Sequence, residues 1–153
     1  MSQAQALKRG KTLACQQGAD LTIPHNGPNH LEQVFSFTDG RGVDVVLEML
    51  ADINLGNDLP ILAKNGRVVI VGSRGSVEIN PRDLMAKEAD ILGLMSNLAD
   101  QQQMQEAFEA IHTGLKNNTL DPVIAQRFPL ARAAEAHHAI IERSHHGKIV
   151  LIP

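Results

Sequence analysis

The chain has 153 residues, of which 43% are hydrophobic and 20% charged, enough for a compact domain with its own core and too apolar for a disordered chain. A net charge of -3, together with four Phe and no Trp or Tyr, excludes a basic nucleic-acid surface and the aromatic platforms on which single strands stack. A single cysteine, Cys15, rules out an internal disulfide and fits a reducing cytoplasm. The N-terminus has no apolar stretch of the signal-peptide kind, and no run approaches the ~18 residues of a membrane span.

Residues 3–17 carry helix formers with Ala4, Leu7, Ala14 and Cys15 on one face, interrupted at Gly10 and ending at Gly18. Leu21–His25 is a short apolar segment before the turn His25-Asn26-Gly27-Pro28, which predicts a strand. A helix over His30–Phe37 follows, closed by Asp39-Gly40-Arg41-Gly42. Val43–Leu50 is a continuous apolar run and the next strand, followed by a helical patch near Leu55–Ala63. Asn65-Gly66 turns the chain into a strand over Arg67–Val71. Asp83–Lys87 predicts a helical turn, and Ala89–Met95 a fourth strand.

Gln101–Leu115 is strongly amphipathic, with Met104, Ala107, Phe108, Ile111 and Leu115 on one face. Asp100 and Gln103 stand at the spacing of a capping box. The chain closes with a strand at Val123–Phe128, a helix at Leu130–Glu142 and a strand at Lys148–Ile152. Strands alternating with helices predict a parallel sheet with crossover helices.

The stretch Val68–Met85 carries the most chemistry. A β-branched run stops at Gly72 and delivers Ser73 and Arg74 in a loop, as a buried parallel strand does at its ligand-binding carboxyl end. A plain strand-exit turn with Arg74 on a surface carboxylate is the structural alternative. No glycine-rich phosphate-binding turn precedes it. His137-His138 and His145-His146 are adjacent pairs, which diverge on a helix and chelate poorly, so His137 is expected in a packed core and no metal is expected. Cys15 is expected to be buried structure. Asp44 and Glu48 lie within an apolar strand, where an ion pair with Arg67 is the simplest explanation. Glu106, Glu109 and Lys116 belong to a solvated helix face. No arrangement supports covalent catalysis.

Four ordered blocks resemble one family: Gly42–Ala51 (GVDVVLEMLA), Gly66–Gly75 (GRVVIVGSRG), Glu78–Glu88 (EINPRDLMAKE), and Pro129–His137 (PLARAAEAH) with the terminal GKIVL. From about Gly10 onward the chain is similar to the zeta-crystallin-like quinone oxidoreductases of the medium-chain dehydrogenase/reductase superfamily. The resemblance implies a partial Rossmann α/β fold: a doubly wound, mostly parallel sheet lacking its first two strands, with a C-terminal strand–helix–strand appendage. Residues 10–118 would form the nucleotide-binding part and 119–153 the segment that returns to the catalytic domain, with 1–9 unassigned.

The same resemblance implies NADPH as cofactor, and zinc-independent chemistry. It carries Val71, Gly72, Ser73 and Arg74 to the nicotinamide-side loop, and Leu94, Met95 and Ser96 alongside the nicotinamide. Asn54 falls near the ribose and pyrophosphate, and His25 toward the adenine, although a solvated loop role also suits His25. The missing turn would normally hold the pyrophosphate. The chain is therefore expected to be a truncated homologue, inactive alone, in the cytoplasm. In the strand order 3-2-1-4-5-6 the two absent strands leave Leu21–His25 without neighbours, and the Val123 and Lys148 strands lose catalytic-domain partners. Exposed edges predict a homo-oligomer, and the resemblance implies a dimer through Ala89–Met95, the strand by which family members commonly pair. The other expectations are a non-catalytic binding module or one half of a split oxidoreductase completed by a companion chain.

Overall fold

The computed structural model describes residues 18–23, 29–142 and 147–153. The helix expected over residues 3–17, with Cys15, lies outside the described residues, as do Pro24, His25 and the His145-His146 pair. The contacts form two compact units, Asp20–Ala99 and a second one containing Asp100–Pro153.

The first unit runs α1 (His30–Phe37), β1 (Val43–Glu48), α2 (Ala51–Ile61), β2 (Leu62–Ile70), α3 (Pro81–Lys87) and β3 (Asp90–Gly93). Its three strands are parallel in the order β1-β2-β3. The prediction of four strands fails in part among the described residues: Leu21–Ile23 adopt no strand. An extended segment keeps strand pairing only where a neighbour takes up its backbone groups, and none does so here.

α1 ends as expected. The Thr38 hydroxyl donates to the Val34 carbonyl (2.9 Å) and accepts from the Gly42 N–H (3.1 Å). Asp39, Gly40 and Gly42 turn the chain with positive φ. β2 starts earlier than Arg67. Its pairing jumps from Val43↔Leu62 to Val45↔Arg67, so the Asn65-Gly66 turn sits inside the strand as a wide bulge, with Asn65 at φ 61°. α3 begins before Asp83, because the Asn80 side chain accepts from Arg82 N (3.1 Å) and Pro81 suits a first helical position.

The core is small and one-sided. Ala51, Leu55 and Leu59 recur at i, i+4 and i+8 on α2 and are buried with Leu62 and Val68 of β2. Val43, Val46, Ile70, Leu84 and Ile91 complete it from the sheet and α3. The apolar run of β1 is not buried throughout: Val45 and Leu47 remain 53% and 64% exposed.

The second unit contains α4 (Gln101–Lys116), β4 (Ile124–Pro129), α5 (Ala133–Glu142) and β5 (Lys148–Ile152). The capping box on α4 is formed on both sides: Gln103 N donates to Asp100 Oδ1 (2.8 Å), and Asp100 N to Gln103 Oε1 (3.0 Å). β4 and β5 are not orphaned. They pair with each other in parallel, from Ile124↔Lys148 to Pro129↔Ile152. Phe128 and Ala136 are buried in this unit, and the Arg132 guanidinium sits 5.8 Å from the Phe128 ring centroid. His137 is exposed rather than packed, because α5 turns the Ala136 side inward.

Candidate functional site

The site begins with strand register. Glu48 is level with Ile70, and Ile70 with Gly93, so all three strands of the first unit end along one line. Open parallel sheets take ligands at that edge, because the chain leaves each strand there toward a helix. Val71–Arg74 follow β2, Leu94–Ser96 follow β3, and Asn54 lies just beyond β1. The structure thus brings eight of the nine sequence-predicted residues to one edge, and His25 lies outside the described residues.

Two placements differ from expectation. Asn54 is in α2 rather than in a loop, since the helix starts at Ala51. β3 stops at Gly93, so Leu94 and Met95 lie past its end and Ser96 opens a short 3-10 turn to Leu98. Leu94 still extends the ladder by donating to Ile70 O (2.9 Å).

Backbone bonds stitch the edge together. Val71 N (2.8 Å) and Gly72 N (3.2 Å) both donate to Glu48 O, and Ala51 N donates to Gly72 O (3.0 Å). The closeness explains the glycine: a Cβ at Gly72 would collide with the carbonyl oxygen of Met49. Beyond it, Ser73 Oγ bonds Gly75 O (3.2 Å), and Arg74 N donates to Asp52 Oδ1 (3.1 Å). Arg74 therefore meets a carboxylate, but through its backbone. Val71, Leu94 and Met95 form an exposed apolar shelf beside these polar groups.

Sequence reasoning misread both acidic residues of β1, Asp44 near its start and Glu48 at its carboxyl end. Glu48 is 6% exposed and pairs with no cation among the described residues. It accepts from Leu50 N and from Asn54 Nδ2 (3.2 Å), which ties the end of β1 to the start of α2. Asp44 pairs with Arg41 instead of Arg67, whose nearest carboxylate is Asp90 at 3.9 Å. The Arg41 hydrogen bond holds the Asp44 carboxyl below its usual range. Asp58, one turn after Asn54, was not singled out. Burial, followed by the hydrogen bond and charge of Glu48, pushes its pKa from 3.8 to about 7. The 54/58 spacing, one helical turn after a strand-end Glu, was the available signal.

Among the described residues, no group of three or more His, Cys, Asp or Glu is placed to hold a metal ion. Nor is any helix there long and apolar enough to cross a membrane.

A family profile described as zinc-binding dehydrogenase matches residues 17–151, and the chain belongs to that family. Within it, the chain is a homologue of quinone oxidoreductases: it is 38% identical to the human quinone oxidoreductase over 146 residues, which is 95% of this chain and 44% of that protein. The chain thus spans less than half the length of the curated relatives it matches. Among solved structures, 2-haloacrylate reductase superposes with a TM-score of 0.79 at 26% identity, over 99% of this chain and 48% of that one. A mycobacterial protein complexed with NADPH shares the fold, with a TM-score of 0.76 at 22% identity, over 100% of this chain and 48% of that one.

Proposed function

We propose that this chain supplies the nicotinamide-side wall of an NADPH site used for quinone reduction, and that it is inactive on its own. The single observation that carries the reading is the level ending of the three strands, which sets Val71–Arg74, Leu94–Ser96 and Asn54 on one edge. The homology to quinone oxidoreductases supplies the reaction class. NADPH, when bound, supplies a hydride to an electrophilic quinone or enone.

The chain's own residues orient and shield. The Val71, Leu94 and Met95 shelf suits the flat apolar face of a nicotinamide ring, and Ser73 and Ser96 offer hydroxyls near a carboxamide. Asn54 serves the ribose and pyrophosphate, and His25 the adenine end. The fit is half complete, because these 153 residues contain no glycine-rich turn to surround the pyrophosphate with backbone N–H groups. Water exclusion also requires a second wall that the described residues do not form.

The outer edges of β1 and β3 are free among the described residues. We infer a homodimer through the Ala89–Met95 edge, and β1 open to a companion chain that carries the missing strands; a non-catalytic binding module is the remaining reading. A cytoplasmic location is part of the same reading, supported by a single cysteine, Cys15, which leaves no internal disulfide to form. NADPH titration followed by nicotinamide fluorescence tests the assignment. The expected result is no saturation at micromolar NADPH for the chain alone. Micromolar binding by the chain alone overturns the inactive reading, and binding that appears only with a second chain establishes a split enzyme.

A further inference from the structure

The first unit holds a buried carboxyl group, Glu48, and a half-buried one, Asp58, that the proposed site does not use directly. Glu48 closes β1, and Asp58 lies in the third turn of α2, one turn beyond Asn54 on the same helix face. Glu48 is nearly inaccessible and already accepts twice at Oε1, from Leu50 N and Asn54 Nδ2. Asp58 Oδ2 is buried with no donor directed at it among the described residues, and Glu48 is the charged neighbour that raises the Asp58 carboxyl. Two carboxyl groups bond to each other only if one carries a proton. Without it, two negative charges face each other at the end of a strand where little water reaches them.

We propose that Glu48 and Asp58 share one proton and act together as positioning residues for Asn54, fixing the side chain that the cofactor reading places beside the ribose. The inference rests on that reading only for its consequence at the cofactor; the proton-sharing pair is a property of the fold. One amide hydrogen of Asn54 is committed to Glu48, so Oδ1 is held facing away from the pair as an acceptor. The carboxyl–carboxylate bond holds Glu48 where it can receive both Leu50 N–H and Asn54. Loss of the proton makes the pair repulsive, moves Glu48, and releases Asn54 together with the strand end that accepts from Val71 and Gly72.

The surroundings point to Glu48 as the partner of Asp58. α2 packs against β1, β2, α1 and α3. Their other charged groups are Asp44, Lys64, Arg67, His30, Glu32, Arg82, Asp83 and Lys87, with Asp52 on α2 and Arg74 and Glu78 on the segment after β2. Asp44, Lys64 and Arg67 face Arg41, Glu88 and Asp90. The charge and hydrogen bond that raise Asp58 come from Glu48. Histidine ordinarily titrates near neutrality, so His30 needs a control.

The test is carboxyl carbon NMR of Asp58, and side-chain amide NMR of Asn54, in the whole 153-residue chain between pH 4 and 9. The expected result is an Asp58 midpoint within about a unit of 7, with the Asn54 amide signals moving at the same midpoint. His30→Gln leaves both unchanged, and Asp58→Asn abolishes the Asn54 response between pH 5 and 8. An Asp58 carboxyl that titrates near the usual 3.9, or Asn54 signals that ignore its titration, overturns the proposal. The wild-type carboxyl measurement decides the matter even if Asp58→Asn does not fold. NADPH affinity measured in parallel tests the site separately. Where the cofactor binds, affinity falls severalfold between pH 6 and 8 in the wild type and stays level in Asp58→Asn. A pair that titrates as expected in a chain that never binds NADPH refutes the cofactor reading and leaves the positioning pair standing.

Discussion

Gly72 has no room for a side chain, since a Cβ there would strike the Met49 carbonyl while the residue's own N–H and C=O hold Glu48 and Ala51. Gly72→Ala is therefore expected to cost about 1–3 kcal/mol, the range for forced overpacking, seen as a lower urea midpoint with unchanged slope. Asp58 gives the stability its pH dependence. Its carboxyl binds a proton more tightly in the folded chain, at about 7, than in the unfolded chain, at 3.8. That contribution is complete below about pH 4 and is lost as pH rises through 7. The wild-type Tm should fall from pH 5 to 8 and that of Asp58→Asn should stay nearly flat; a wild-type Tm that rises over this range contradicts the assignment. The glycine and the strand-exit loop were legible in the residues Val68–Gly75. The partner of Glu48 was not: proximity along the sheet suggested Arg67, but the helix that follows brings Asn54 and Asp58 to the strand end.

Elements with strong local signals matched the sequence closely. α1 fell on His30–Phe37, β5 on Lys148–Ile152, and α4 ran one residue past its expected end with the Asp100–Gln103 cap formed. Local patterning failed where pairing decides: β2 absorbed Asn65-Gly66 as a bulge, and Leu21–Ile23 found no strand to join. α2 is the element on which the first core depends, because Leu59 is wholly buried among Leu55, Leu62 and Val68. Leu59→Ala should cost about 2–5 kcal/mol by chemical denaturation, a lost side chain plus the cavity it leaves. The free edge of β3 belongs to the same scale. Leu92 is 44% exposed there, and a lysine on an edge strand opposes pairing. Leu92→Lys is expected to convert the proposed dimer to monomer in sedimentation analysis; a wild-type chain that is already monomeric removes the edge-pairing claim.

At the scale of the molecule, two compact units each close around a parallel pairing: β1-β2-β3 under α2 in one, and β4-β5 with α5 in the other. The second pairing was unexpected, because β4 and β5 were assigned to a catalytic domain on the strength of family resemblance. Two parallel strands joined by a helix satisfy each other's backbone groups without that domain. The chain covers 44% of the human quinone oxidoreductase, and its strand-end edge carries eight of the nine residues proposed for the cofactor. Val45 and Leu47 leave one face of the sheet exposed at β1, the strand whose outer edge is free among the described residues.

By itself, the order of residues determined the parallel α/β class, the family, most helices and the edge on which the proposed site residues gather. Periodicity, caps and glycine turns are local, and a parallel strand announces its carboxyl end by an apolar run that stops. Tertiary structure alone decided which strands pair, which alanine face of α5 turns inward, and that Glu48 meets Asn54 and Asp58 instead of a cation. Those outcomes depend on distances across the sheet and on burial, and neither is set by neighbours in sequence.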